Sequence, residues 1–121
     1  MLWNENVRDL VVLRVCFLRS EHSEFSISYF IIGSTMGEYG VILYSEYGFN
    51  PIGFEFIESR TSWQRSEAIR DYCELTEGGY CVLVYVPSDV LSEVARNLSV
   101  NKAKENIRLL STERLVPTIE A

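Results

Sequence analysis

Along the first 57 residues the apolar positions alternate or run without a break, and from residue 61 onward most recur at helical spacing. Residues 10–18, LVVLRVCFL, are apolar on both alternating faces with Arg14 the one exception. That pattern predicts a central strand covered on both sides. The polar run from Ser20 to Glu24 reads as a turn. Beyond it, residues 25–32 set Phe25, Ile27, Tyr29 and Ile31 on one face and Ser26 and Ser28 on the other. A half-buried antiparallel strand follows, joined to the first as a hairpin. The glycines from Gly33 to Gly40 predict a loop. Residues 41–44 predict a short strand, and Asn50-Pro51 marks a turn. In 52–57, IGFEFI, the expectation is Ile52, Phe54 and Phe56 inward with Glu55 outward. The first half thus reads as a four-stranded meander.

After residue 61 the period lengthens. Thr61 and Gln64 fit a capping box, with Ser62 an alternative cap. Ala68, Ile69, Tyr72 and Cys73 then share one helical face, while Arg70, Asp71 and Glu74 point away. Gly78-Gly79 ends that helix. Residues 80–86, YCVLVYV, predict a second strand apolar on both faces. Pro87-Ser88 opens a second helix with the stripe Val90, Leu91, Val94, Ala95 and Leu98. A third helix is expected from Ser99 or Asn101, with Val100, Ala103, Ile107 and Leu110 inward and Lys102, Lys104 and Arg108 outward. The tail beyond Thr112 either adds an edge strand at Leu115-Val116 or frays.

These elements predict a single α+β domain over residues 1–121. It is a mainly antiparallel sheet of about five strands in the order β-β-β-β-α-β-α-α, with helices packed on one face. A tension follows. The segments 10–18 and 80–86 ask for cover on both faces, which three short helices on one face cannot give. Either the helices split across the sheet, or a second copy covers the other face. An apolar face of that extent exceeds what monomers usually expose, so a homodimer is expected.

Composition narrows the function classes. The chain has 121 residues, is 47% hydrophobic and 23% charged, and carries a formal charge of −6, as an ordinary globular domain does. Residues 1–59 hold three Arg against eight acids, whereas residues 60–121 are nearly balanced. That distribution argues against nucleic acid and suits a basic protein partner. Cys16, Cys73 and Cys81 are odd in number, widely spaced and set among apolar residues, which predicts neither disulfide nor zinc. No basic region followed by an apolar run opens the chain, and the longest apolar stretch, Leu10–Leu18, is too short to span a bilayer. The expectation is a cytoplasmic protein without membrane contact. Asn97-Leu98-Ser99 then matches a glycosylation sequon by chance.

Candidate chemistry is sparse. His22 lies between Glu21 and Glu24 and beside Ser20 and Ser23, but sequence neighbours rarely take triad geometry and no nucleophile elbow is present. No His, Cys or acidic cluster has ligand spacing, so neither a metal nor a cofactor is expected. The glycine loop precedes a strand and lacks a phosphate-loop ending. Thr61 and Ser62, at a helix start, are a better perch for an anion. The least ordinary stretch is 37–49, where Glu38-Tyr39-Gly40 recurs as Glu46-Tyr47-Gly48, with Tyr44 and Phe49 nearby. Tyrosines beside acids suit a cationic partner, because the ring buries area while the hydroxyl stays satisfied. Glu38, Tyr39, Tyr44, Glu46, Tyr47 and Phe49 are therefore the candidate binding residues. The expected function is a non-enzymatic, homodimeric protein-binding or regulatory module. The alternative is a sensor domain that holds a metabolite in a sheet-edge or subunit crevice.

Overall fold

In the computed structural model, residues 6–46, 50–101 and 107–116 are described. The first element is α1, Val7–Glu21, a helix and not a strand. Val7, Val11, Val15 and Leu18 form its buried stripe at intervals of four and three, and the Asn6 side chain caps it by accepting from Arg8 N at 2.8 Å. Val12 and Leu13, which a central strand would bury, are each 50% exposed. The apolar run 10–18 fits either period. The stripe beginning at Val7 and the Asn6 cap decide for the helix.

Strands β1 (Phe25–Ile32), β2 (Tyr39–Glu46) and β3 (Asn50–Ile57) form an antiparallel meander. The β1–β2 register runs one for one from Phe25↔Glu46 to Ile32↔Tyr39, and a bulge at Tyr44/Ser45 interrupts β2–β3. Helix α2 (Ala68–Glu77) then returns the chain to β4 (Cys81–Val86), and α3 (Leu91–Val100) returns it to β5 (Ile107–Ser111). A helical return brings each new strand in parallel, so β3–β4 and β4–β5 are parallel pairs. Among the described residues the fold is an α+β domain: an open five-stranded sheet, ordered β1-β2-β3-β4-β5, with three helices.

Several expectations need correction. The sheet is mixed rather than mainly antiparallel, and the element order is α-β-β-β-α-β-α-β. The helices occupy both faces. Val7, Val11, Val15 and Leu18 of α1 pack on Ile27, Ile42, Ile57 and Tyr85. On the opposite face, Ala68 and Tyr72 of α2 and Val94 and Leu98 of α3 pack on Phe56, Val82, Val84 and Val86. Strand β4 is thus covered on both sides within one chain, and the supposed first strand is the missing cover. The original reason for a second copy disappears with it.

The expected third helix is instead β5, where Ile107 and Leu109 turn to the α2/α3 side and Leu110 to the α1 side. Lys102 and Lys104 lie outside the described residues. No strand forms at Leu115: Thr112–Arg114 is a single 3-10 turn, and Leu115 is buried against the α1 cluster. Thr61 caps nothing with its side chain. Ser62–Gln64 is a short 3-10 turn, and α2 starts only at Ala68. Gly40 is a strand residue of β2 and not part of a loop. A Cβ there would overlap Val11 Cγ2, so α1 crosses β2 where only glycine admits it.

Candidate functional site

Strand β3 ends at Ile57, and Glu55 within it and Glu58 just beyond it go to opposite faces of the sheet. Glu55 was expected outward but is 1% exposed. It meets Arg14 of α1, whose Nε and Nη2 donate to its two oxygens at 2.8 Å each. Arg14 Nη1 donates to the Leu115 carbonyl at 2.7 Å, and the Tyr44 hydroxyl donates to Glu55. Burial pulls the Arg14 pKa down, but the hydrogen bond and charge of Glu55 outweigh it and hold the guanidinium above its ordinary value. Beneath this pair, burial followed by the Glu55 charge pushes the Tyr85 hydroxyl up to about 12.

Glu58 builds the second cluster, on the α2 side. It accepts from Ser62 Oγ at 2.7 Å, from Arg65 Nη1 at 2.6 Å and from the Tyr72 hydroxyl. The Arg65 guanidinium carbon stands 3.4 Å from the centroid of the Tyr39 ring. Burial, with the Glu58 charge second, raises the Tyr72 hydroxyl well above the ordinary phenol value. Arg65 Nε and Nη2 are buried with no hydrogen-bond partner among the described residues. The two clusters clamp α1 and α2 onto the sheet. Each carboxylate is enclosed, and its oxygens are already engaged by Arg and Tyr. The sequence held one signal of the first cluster: Arg14 and Glu55 each interrupt an apolar segment, and their signs are complementary.

The residues singled out from the sequence are spread along β2. Glu38 is exposed and paired with Arg8, whose Nη2 lies at 2.9 Å and Nε at 3.2 Å. Tyr39 is buried beneath Arg65, and burial raises its pKa, partly offset by the Arg65 charge. Tyr44 is half-buried on Glu55, and Glu46 is exposed at the far end of the strand. Tyr47 and Phe49 lie outside the described residues. Eight steps of extended chain separate Glu38 from Glu46, about 26 Å at the usual rise. Glu38 and Glu46 therefore sit at opposite ends of β2. His22 follows α1, exposed, with Nδ1 3.4 Å from Glu24 Oε2, and Ser20 Oγ donates to the Phe17 carbonyl.

Two surface features remain. On the face that α2 and α3 share, β1 is left bare: Phe30 is 55% and Ile32 38% exposed, opposite Val41 and Tyr39 of β2 in the register. Tyr29, on the other face of the same strand, is 43% exposed. The second feature is an open cleft of about 440 Å³ lined by Trp63, Gln64, Glu93, Arg96, Asn97 and Val100. Among the described residues no group of three or more His, Cys, Asp or Glu side chains is placed to hold a metal. No helix there is long and apolar enough to cross a membrane. The class these features define is an α+β domain whose buried acids are paired with Arg and Tyr and whose exposed large apolar side chains are Tyr29, Phe30 and Ile32 on edge strand β1, Val12 and Leu13 on α1, and Val100 on α3. No protein-family model, curated protein or solved structure matches this chain.

Proposed function

We propose that this chain is a non-enzymatic protein-binding module that pairs with a copy of itself and offers its acidic half to a basic protein partner. One observation carries the reading: Tyr29, Phe30 and Ile32 are exposed together on edge strand β1. Large apolar side chains clustered at a sheet edge are what a strand-adding partner buries. Glu46, exposed at the end of β2, and the exposed acids Glu21 and Glu24 favour a basic partner beside that edge. Cys16 and Cys81 are exposed free thiols, which suits a reducing, cytoplasmic setting. The test is light scattering on the purified chain. A mass that rises with concentration supports the module, and a constant single-chain mass defeats its self-pairing.

The cleft beside Trp63 favours a second reading, a sensor of small molecules. Its volume of about 440 Å³ falls within the range of ligand sites, and it joins an indole wall to Arg96, Glu93 and Asn97. A thermal-shift screen against nucleotides, amino acids and common metabolites tests it. A rise of several degrees with one compound supports the sensor, and no response removes it.

A further inference from the structure

Building on the self-pairing module, we propose that two copies join β1 to β1 in antiparallel fashion across a two-fold axis centred on Phe30, making one continuous sheet.

The backbone fixes which residues can pair. In a strand, the N–H and C=O of one residue point to the same side, and the sides alternate. Phe25 N–H donates to the His22 carbonyl at 3.1 Å, and the Ile27 carbonyl accepts from Arg19 Nη2 at 2.8 Å. Both bonds lie off the β1–β2 ladder. Residues 25, 27, 29 and 31 therefore face the free edge, and 26, 28, 30 and 32 pair with β2. A two-fold centred on Phe30 sets Tyr29 against Ile31 of the second copy, and Ile31 against its Tyr29, as hydrogen-bonded pairs. Phe30 then meets the second copy's Phe30 at the close, non-hydrogen-bonded position between them. Centring on Ser28 would instead set Glu24 against Ile32. Centring on Tyr29 would leave Phe30, the most exposed large side chain of the strand, facing a serine.

Charge selects the occupant. Residues 25–32 carry no Asp, Glu, Lys or Arg, in a chain of formal charge −6. That neutral strip is where a second acidic copy approaches with least repulsion, whereas a basic partner is drawn to Glu46. Arg19 covers the edge at the Ile27 carbonyl, so the pairing is centred beyond it, on Tyr29 to Ile31. Strand β1 has no Lys, no Pro and no bulge in its eight-residue register. The opposite edge, β5, is guarded: it has five residues and carries Arg108. A single strand pairing buries less than the standard of about 800 Å² per partner, so the dimer is expected to be weak and in exchange with monomer.

The test is site-specific disulfide trapping in the full chain with Cys16→Ser and Cys81→Ser as background. Phe30→Cys should give a cross-linked dimer under mild oxidation several-fold faster than Tyr29→Cys or Ser26→Cys, because non-hydrogen-bonded pairs lie within disulfide reach. Fastest trapping by Tyr29→Cys overturns the register. No trapping at any of the three positions, while light scattering still reports a dimer, overturns the interface but leaves the self-pairing module standing. Absence of dimer in the unmodified chain removes both. All three positions are surface sites, and matching melting curves confirm that each variant is folded.

Discussion

Arg14 and Glu55, 41 residues apart, close on each other as a two-pronged pair between α1 and the centre of the sheet. Each interrupts an apolar segment, and each is nine-tenths or more buried. Arg14→Ala leaves a buried carboxylate whose remaining partner is the Tyr44 hydroxyl. The expected loss is about 3–5 kcal/mol, since an unpaired buried charge forfeits its solvation without return. Arg14→Met with Glu55→Leu and Tyr44→Phe should recover most of it. Urea unfolding at neutral pH measures both, and a loss below about 1 kcal/mol for Arg14→Ala would mean that the pair is not buried as described.

Gly40→Ala tests the closeness of α1 to β2. The added methyl group overlaps Val11 Cγ2, so α1 must shift, at a cost of about 1–3 kcal/mol. Val11→Ala makes room. The double variant should therefore be more stable than Gly40→Ala alone, and additive losses in a double-mutant cycle would contradict the contact.

Tyr72 and Tyr85 make stability depend on alkaline pH. Each hydroxyl is harder to ionise in the folded chain than in the unfolded one, Tyr85 at about 12. The folded state thus holds more protons above the ordinary phenol pKa of about 10. Stability from these groups is complete below pH about 10 and falls as pH rises through the folded values, by on the order of 2 kcal/mol from Tyr85 alone. Absorbance near 295 nm during an alkaline titration reads the effect. Tyr72 and Tyr85 should ionise only as the chain unfolds, and their ionisation near the ordinary phenol pKa while the chain is still folded would refute it.

Much of the sheet was legible. In β1 the alternation placed Phe25, Ile27 and Ile31 on the face that α1 covers, and the stripe of Val94 and Leu98 marked α3. What escaped reading depended on distant partners. An apolar run such as 10–18 serves a strand or a helix equally well, and only the position of Val7 and Asn6 separates them. Ile107 and Leu110 stand three apart, which suits a helix, yet they belong to opposite faces of β5. Parallel pairing is invisible locally, because it follows from where α2 and α3 return the chain. The candidate tyrosines met the same limit. Tyr39 resembles a surface ring until Arg65, from the turn before α2, lies over it.

Sedimentation equilibrium of three chains over a wide dilution series decides whether β1 is the docking surface. The unmodified chain should rise from 13.9 kDa toward twice that mass with concentration. Phe30→Glu should remain at the single-chain mass throughout, because it sets like charges against each other at the centre of the pairing. Leu13→Glu, equally open to solvent but on the outer face of α1, should associate as the unmodified chain does. A Phe30→Glu chain that still dimerises, or an unmodified chain that never does, contradicts β1 as the surface through which this protein binds a copy of itself.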